Sequence, residues 1–242
     1  AGGTGGHIYP ALAIINKIKE MEPNSEFLYI GTTNRMEKDL IPSMGYRYEG
    51  IEVTGFKRKL TLDNFKTITN FINAIKRCKI IIKDFDPDIV IGCGGYVTAP
   101  VIYAAKKLGK KTFIHEQNSV VGLANKFLAR YTDKIGVSFE STIKDFPKGK
   151  AILTGNPCSE KALSIKKTTK EKLDIAKDKK LVLIVMGSLG SKTINDKIFS
   201  FIDKFRSKNY SVIIVTGNSY YERVKDKRVP SNVKVLPFIY EM

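Results

Sequence analysis

Along this chain, short apolar runs rich in β-branched residues alternate with stretches whose apolar residues recur every three to four positions. The first pattern predicts strands and the second helices. Strands are expected at "EFLYIG" (26–31), "YRYEGIEV" (46–53), "DIVIG" (88–92), "KKTFIH" (110–115), "KIGVS" (134–138) and "AILTG" (151–155). Helices are expected from Tyr9-Pro10 through Ile18, over "RMEKDLIPSMG" to about Pro42, and over 61–83, 99–109 and 122–131. After a lysine-rich interval at 161–180 the alternation restarts, with strands at 181–187, 211–217 and 233–238 and a helix at 191–206. Strands that are apolar throughout, separated by helices, imply parallel sheets covered on both faces. The expected fold class is therefore α/β, with two Rossmann-like parallel-sheet domains, 1–156 and 157–242, divided near Asn156-Pro157.

With 242 residues and 43% apolar content, the chain has the material for two buried cores. The net charge of +17 is spread over both parts: 23 Lys+Arg against 15 Asp+Glu in residues 1–155, and 18 against 9 in residues 156–242. A surplus of that size suits a nucleic acid, an anionic membrane surface or a phosphorylated substrate, although dispersed lysines most often form a solvated surface. Cys78, Cys93 and Cys158 lack metal-ligand spacing and cannot all pair, which points to reduced thiols in the cytoplasm. Neither a signal peptide nor a membrane-spanning apolar run is legible. The chain starts without Met, inside a glycine loop of the kind that follows a strand. A first strand is expected to be missing and the chain to be a fragment.

In doubly wound sheets, ligands sit beyond the carboxyl ends of the strands. Four loops fall there: "GGTGGH" (2–7), "GCGGYVTAP" (92–100), "HEQNSVVG" (115–122) and "GSLGSKTIN" (187–195). Glycine lets the backbone approach a ligand, while Thr4, Ser188 and Ser191 add hydroxyls. A glycine loop entering a helix also turns N–H groups and a positive dipole end toward an anion. Any one of these loops is equally explained as a tight turn; four on one rim are harder to explain so. "GGTGGH" lacks G-x-G-x-x-G spacing and "GSLGSKT" lacks phosphate-loop spacing, so neither nucleotide fingerprint applies. Asp86 and Asp88 precede their strand, at the wrong end of the sheet for a metal pair, and read as a turn around Pro87. No metal and no cofactor are expected.

His7 and His115 both lie on this rim, where an imidazole serves as a general base near neutral pH or as a structural hydrogen-bonding group. Glu116 and Asn118 follow at a strand's carboxyl end, placed to bind sugar hydroxyls or orient a base, or else to cap the loop.

"GGTGGHIYPALA", "IGCGGYVTAPV", "HEQNSVVGLANK", "TGNP" and "MGSLGSKTIN" occur in the order and at the separations found in the MurG family. The chain resembles that family over essentially its whole length. The resemblance implies the glycosyltransferase B fold, two Rossmann-like domains facing a cleft. The N-terminal domain would bind the acceptor and associate with the membrane, and the C-terminal one, here incomplete, would bind UDP-GlcNAc. It implies inverting transfer of GlcNAc to the C4 hydroxyl of the muramoyl sugar of lipid I (undecaprenyl-diphospho-MurNAc-pentapeptide), giving lipid II for peptidoglycan. The work would be done at the cytoplasmic face of the bacterial membrane, without a catalytic metal. By the same resemblance, Thr4, Gly5, Gly6, Asn118, Ser188 and Ile239 bind the donor. Tyr96 and Asn125 belong to the acceptor side of the cleft, and His7 or Glu116 is the base. Many family members carry an arginine two positions after the proline of "GNP"; this chain has Ser159, and Lys161 or Lys192 is a candidate replacement.

Two other readings compete. A UDP-GlcNAc 2-epimerase of the same fold would use the donor without a lipid acceptor. A nucleic-acid-binding module would interleave aromatic with basic residues on one face, whereas the basic residues here are dispersed, so no nucleic acid is expected. Residues 56–83 are expected to seat the protein on an anionic bilayer. Phe65, Ile68, Phe71, Ile72 and Ile75 form one helical face bordered by Lys57, Arg58, Lys59, Lys76, Arg77 and Lys79. The competing account is a core helix packed on its own sheet. With three strands expected after Asn156, the sequence as it stands is expected not to transfer GlcNAc at a useful rate, whereas the intact protein does.

Overall fold

The computed structural model describes residues 1–53, 63–166, 169–186 and 190–239, and in the helix beginning at Asp63 it describes side chains from Thr67 onward. Helix α1 (Gly5–Met21) leads into β1 (Leu28–Thr32), α2 (Glu37–Ser43) and β2 (Arg47–Ile51). Next come α3 (Asp63–Phe85), β3 (Ile89–Gly92), α4 (Thr98–Lys107), β4 (Lys111–Glu116), α5 (Leu123–Leu128), β5 (Lys134–Val137), β6 (Ala151–Leu153) and α6 (Cys158–Ser164). Then follow β7 (Lys180–Val185), α7 (Lys192–Ser200), β8 (Tyr210–Val215), α8 (Asn218–Val224) and β9 (Val233–Leu236). The strands form three sheets in the orders β1-β2, β3-β4-β5-β6 and β7-β8-β9, and all neighbours run parallel. This is an α/β fold. Packing divides the chain into two units, Ala1–Leu163 and Ser164–Met242. The division lies beyond Asn156-Pro157, and Glu160 of α6 pairs with Lys17 of α1 at 2.7 Å.

In the first unit the continuously apolar strands are covered. Ile114, Ile135 and Val137 are buried with Ile102 and Ala105 of α4 and with Ile81 and Ile82 of α3. A second cluster joins Ile8 and Leu12 of α1 to Tyr29 of β1 and Ile41 of α2. The register of β4 between its neighbours, with Ile114 opposite both Gly92 and Ile135, carries His115 and Glu116 to the carboxyl end of the sheet. In the second unit β8 is buried from Val212 to Val215, with Ile198 and Val233 on one face and Ile175 on the other.

Several local expectations shift. Val182, Leu183 and Val185 of β7 are exposed, and among the described strands β7 has one neighbour, β8, which is buried from Val212 to Val215. The strand expected at 151–155 ends at Leu153, and the helix expected at 191–206 ends at Ser200, where Phe201 leaves helical geometry at φ −127°. Helix α8 was not foreshadowed by the apolar pattern. It opens after Gly217 at φ +83° and buries Tyr220 and Val224, four positions apart.

Candidate functional site

Two of the four glycine-rich loops are packed against each other at the carboxyl end of the first unit. Gly94 and Gly95 both have positive φ, +93° and +83°. A β-carbon on Gly94 would lie 2.6 Å from His7 Cδ2, and one on Gly95 would collide with the Gly2 carbonyl. Only a side-chain-free backbone allows this approach. Thr98 holds the second loop, donating its hydroxyl to the Gly94 carbonyl at 2.6 Å and its N–H to the Gly95 carbonyl at 3.2 Å. Thr4, extended at φ −149°, precedes α1, and its carbonyl accepts the N–H groups of His7 and Ile8. Gly5 is buried and Gly6 exposed at the start of that helix.

His7 is half-buried, with Nδ1 3.4 Å from the Thr4 hydroxyl oxygen. Burial holds its pKa below the usual histidine value; a hydrogen bond to the Gly2 backbone and the charges of Glu116 and Glu37 oppose that only in part. The ring is therefore neutral at pH 7 and free to accept a proton.

The third loop is organised by Glu116, whose side chain is 1% exposed. Its Oε1 accepts the Asn118 backbone N–H at 3.0 Å and the Asn118 amide at 2.9 Å. Its Oε2 accepts the Gly122 N–H at 3.0 Å and the Asn125 amide at 2.9 Å. Four donors thus occupy the carboxylate, which ties residues 116–122 into a fixed turn. Asn118 is exposed on that turn, while Asn125 is buried and also donates to the His115 carbonyl. Tyr96 stands 61% exposed beside the second loop. His115 is 1% exposed and serves the sheet: its Nε2 lies 3.0 Å from both the Thr154 hydroxyl and the Gly155 carbonyl.

A residue that the sequence pattern did not single out joins this group. Glu37, the first residue of α2, is fully buried and accepts the Gly3 N–H on both carboxylate oxygens. An acidic residue opening a short helix reads as a solvated first-turn charge, so no local signal marks it. A cavity of about 510 Å³ between β1 and β3 is lined by Ile15, Ile30, Ile82, Ile91 and Val101 and includes none of the expected site residues.

In the second unit, the described part of the fourth loop begins at Gly190. Gly190 has φ +71°, and a β-carbon there would collide with the Thr216 carbonyl. Ser191 opens α7, and buried Asn195 donates its amide to the same Thr216 carbonyl at 2.9 Å. Lys192, Ser219 and Arg223 line a recess of about 200 Å³ with these residues. Ile239 is half-buried against the cluster of Ile175, Ile213 and Val215. Ser159 is exposed beyond the last strand of the first unit. Ser188 lies outside the described residues, as do Lys57, Arg58, Lys59 and the side chain of Phe65. Of the rest of the expected membrane face, Ile68 and Ile72 are exposed, Phe71 is half-buried, and Ile75 packs against the main core. Among the described residues no group of three or more His, Cys, Asp or Glu is arranged to hold a metal ion.

The glycosyltransferase family 28 N-terminal domain matches residues 1–137. A UDP-N-acetylglucosamine–N-acetylmuramyl-(pentapeptide) pyrophosphoryl-undecaprenol N-acetylglucosamine transferase of Bacillus cereus is 48% identical over 246 aligned positions, covering all of this chain and 68% of that protein. The crystal structure of Acinetobacter baumannii MurG matches with a TM-score of 0.68 at 27% identity, over 100% of this chain and 67% of that one. A UDP-GlcNAc 2-epimerase from Neisseria meningitidis, bound to UDP-GlcNAc, matches with a TM-score of 0.62 at 16% identity, over 98% and 71% of the two chains. At that identity the likeness is one of fold.

Proposed function

This chain belongs to glycosyltransferase family 28 and, within it, to the MurG family of N-acetylglucosaminyltransferases, and from that membership we propose how its residues carry the reaction. The activity is transfer of GlcNAc from UDP-GlcNAc to the muramoyl sugar of undecaprenyl-diphospho-MurNAc-pentapeptide, the step of peptidoglycan synthesis that turns lipid I into lipid II.

His7 is the general base in this reading. The observation that carries it is the neutral, half-buried imidazole held against Gly94 at the head of α1. As the C4 oxygen of the acceptor bonds to the anomeric carbon, its proton passes to His7 and the bond from that carbon to the UDP oxygen breaks. Attack from the face opposite the leaving group inverts the centre. N–H groups of the Thr4–Gly6 loop and the positive end of α1, 17 residues long, offset the negative charge of the leaving diphosphate. Glu116, with all four of its hydrogen bonds accepted from N–H donors, anchors the loop that presents Asn118 to the sugar. Asn125 supports that anchor, and Tyr96 offers an exposed ring to the acceptor. Ser188 and Ile239 complete the donor side by the family correspondence. Lys192 lines the recess beside Ser191 in the second unit, which supports it as a phosphate contact where many family members use the arginine that Ser159 replaces here.

The protein works at the cytoplasmic face of the membrane as a peripheral enzyme. What supports this is the apolar face of α3, where Ile68 and Ile72 are 47% and 49% exposed, continued by Phe127 and Leu123 of α5. Phe71 and Phe127 meet edge to face at 6.4 Å, and Lys76 and Lys126 are exposed on the same helices. Among the described residues no helix is long and apolar enough to cross a membrane.

Radiolabelled UDP-GlcNAc incubated with a lipid I analogue is expected to give labelled lipid II, and His7→Ala is expected to lower kcat by about 10²–10⁴ while leaving the melting temperature close to that of the parent. ManNAc formed from UDP-GlcNAc alone would replace this reading with the epimerase. Normal turnover by the His7 variant would move the base elsewhere.

A further inference from the structure

We propose that Glu37 is a positioning residue: its buried carboxylate holds the Gly2–Gly6 loop in the conformation that sets His7 against Gly94. This rests on the reading of His7 as the base. Glu37 has no exposed surface, and both of its oxygens are spent on neighbouring strand and loop. Oε1 accepts the Thr32 N–H at 3.1 Å and the Thr32 hydroxyl at 2.7 Å, at the carboxyl end of β1. The Gly3 N–H, at 3.1 Å from Oε1 and 3.2 Å from Oε2, is shared between the two oxygens. The carboxylate thus joins the end of β1, the start of α2 and the loop that opens α1.

The fit leaves no room for side chains. A β-carbon on Gly2 would collide with Glu37 Oε1, and one on Gly31 would stand 2.8 Å from Glu37 Cγ. Glycine at these positions is therefore required by Glu37 itself as well as by any ligand. Among the described ion pairs none includes Glu37, so its charge is met by N–H and O–H dipoles aimed at it. Burial alone would raise its pKa; the Thr32 and Gly3 hydrogen bonds outweigh that and hold it below the ordinary carboxylate range. The group is charged at neutral pH and functions as an acceptor only. Gly3 itself, at φ +93° with nothing within 4 Å of its β-carbon position, has no packing contact there to fix it. The hydrogen bond to Glu37 supplies what packing does not. The next residues in the chain are Thr4, whose carbonyl starts α1, and His7 on its first turn. A loop that loses its anchor at Gly3 releases the imidazole four residues on, and small displacements of a base are costly in rate.

The test uses the full-length enzyme with Glu37→Gln and Glu37→Asp, and His7→Ala alongside. Glutamine keeps the shape but turns an amide N–H toward the Gly3 or Thr32 donors. Aspartate keeps the charge but is shorter by one methylene, and it is measured in the same way if the glutamine variant does not fold. Amide exchange at Gly3, whose N–H the carboxylate holds, is expected to quicken by about tenfold or more, with exchange at the β4 amides of Phe113 and Ile114 unchanged. Turnover is expected to fall by about ten- to a hundredfold, with KM for the lipid I analogue within about twofold of the parent. Unchanged exchange at the loop overturns the proposal. So does parental kcat in the Glu37 variants when His7→Ala is inactive. If His7→Ala itself turns over normally, the reading of the base fails, and loop exchange still decides whether Glu37 holds the loop.

Discussion

Gly94 sits at φ +93°, where an L side chain is strained, and a β-carbon there would stand 2.6 Å from His7 Cδ2. Gly94→Ala therefore forces the imidazole to move and places alanine in an unfavourable backbone region, at a cost of about 1–3 kcal/mol. The expected outcome is a lower melting temperature together with a loss of kcat larger than the fraction unfolded explains. Full turnover per folded molecule would show that the contact between the two loops is incidental to the chemistry. The same residue-level view separates the two carboxylates. Glu116 was legible in the sequence as a polar residue at a strand end, but not the fact that its side chain turns inward to four N–H donors. Glu37 left no trace in the pattern, since its partners Gly3 and Thr32 are bound through folding rather than through spacing along a helix.

Helix α3 buries one side of its amphipathic pattern and leaves apolar residues exposed on another. Ala74, Cys78, Ile81 and Ile82 are buried against the sheet, while Ile68, Ile72 and Ile80 are exposed. Ile75 belongs to the core side, and Ile68 and Ile72 are the residues on which the proposed membrane contact rests. Replacing both Ile68 and Ile72 with serine removes exposed apolar area without opening the core, so stability is expected to change by less than about 1 kcal/mol. Binding to vesicles containing anionic phosphatidylglycerol is expected to fall by about tenfold or more, given roughly 25 cal/mol per Å² of buried apolar surface. Unchanged vesicle binding in the folded variant would remove α3 from the membrane contact.

The first unit as a whole carries an acid-sensitive joint. His115 links β4 to the segment after β6, and because the Gly155 carbonyl only accepts, Nε2 holds the proton. Nδ1 is buried without a partner, so a second proton there finds no acceptor. Burial accordingly lowers the His115 pKa, with the Gly155 hydrogen bond and the Glu116 charge opposing it. A folded pKa below the unfolded one means that the unfolded chain binds more protons. Stability is thus full above the unfolded value of about 6.5 and declines as pH falls from there toward the folded pKa. His7 shifts in the same direction and adds to the decline. Thermal melts between pH 7.5 and 5.5 are expected to show a falling midpoint, with a shallower slope in His115→Gln; an equal slope in that variant would assign the effect to other groups.

The alternation of apolar runs and helical periods was sufficient for the α/β class and for parallel strands, because strands covered on both faces must be apolar at successive positions. The glycine loops and the residues after β4 were legible as candidate chemistry for a related reason: glycine and polar side chains at strand ends are anomalous against that background. What the linear chain does not encode locally is which of these groups meet. That Gly94 receives His7, that Glu116 faces inward, and that Glu37 closes on Gly3 from 34 positions away follow from strand order and register. Those contacts depend on long-range packing, in which a buried carboxylate takes whichever donors the fold delivers to it.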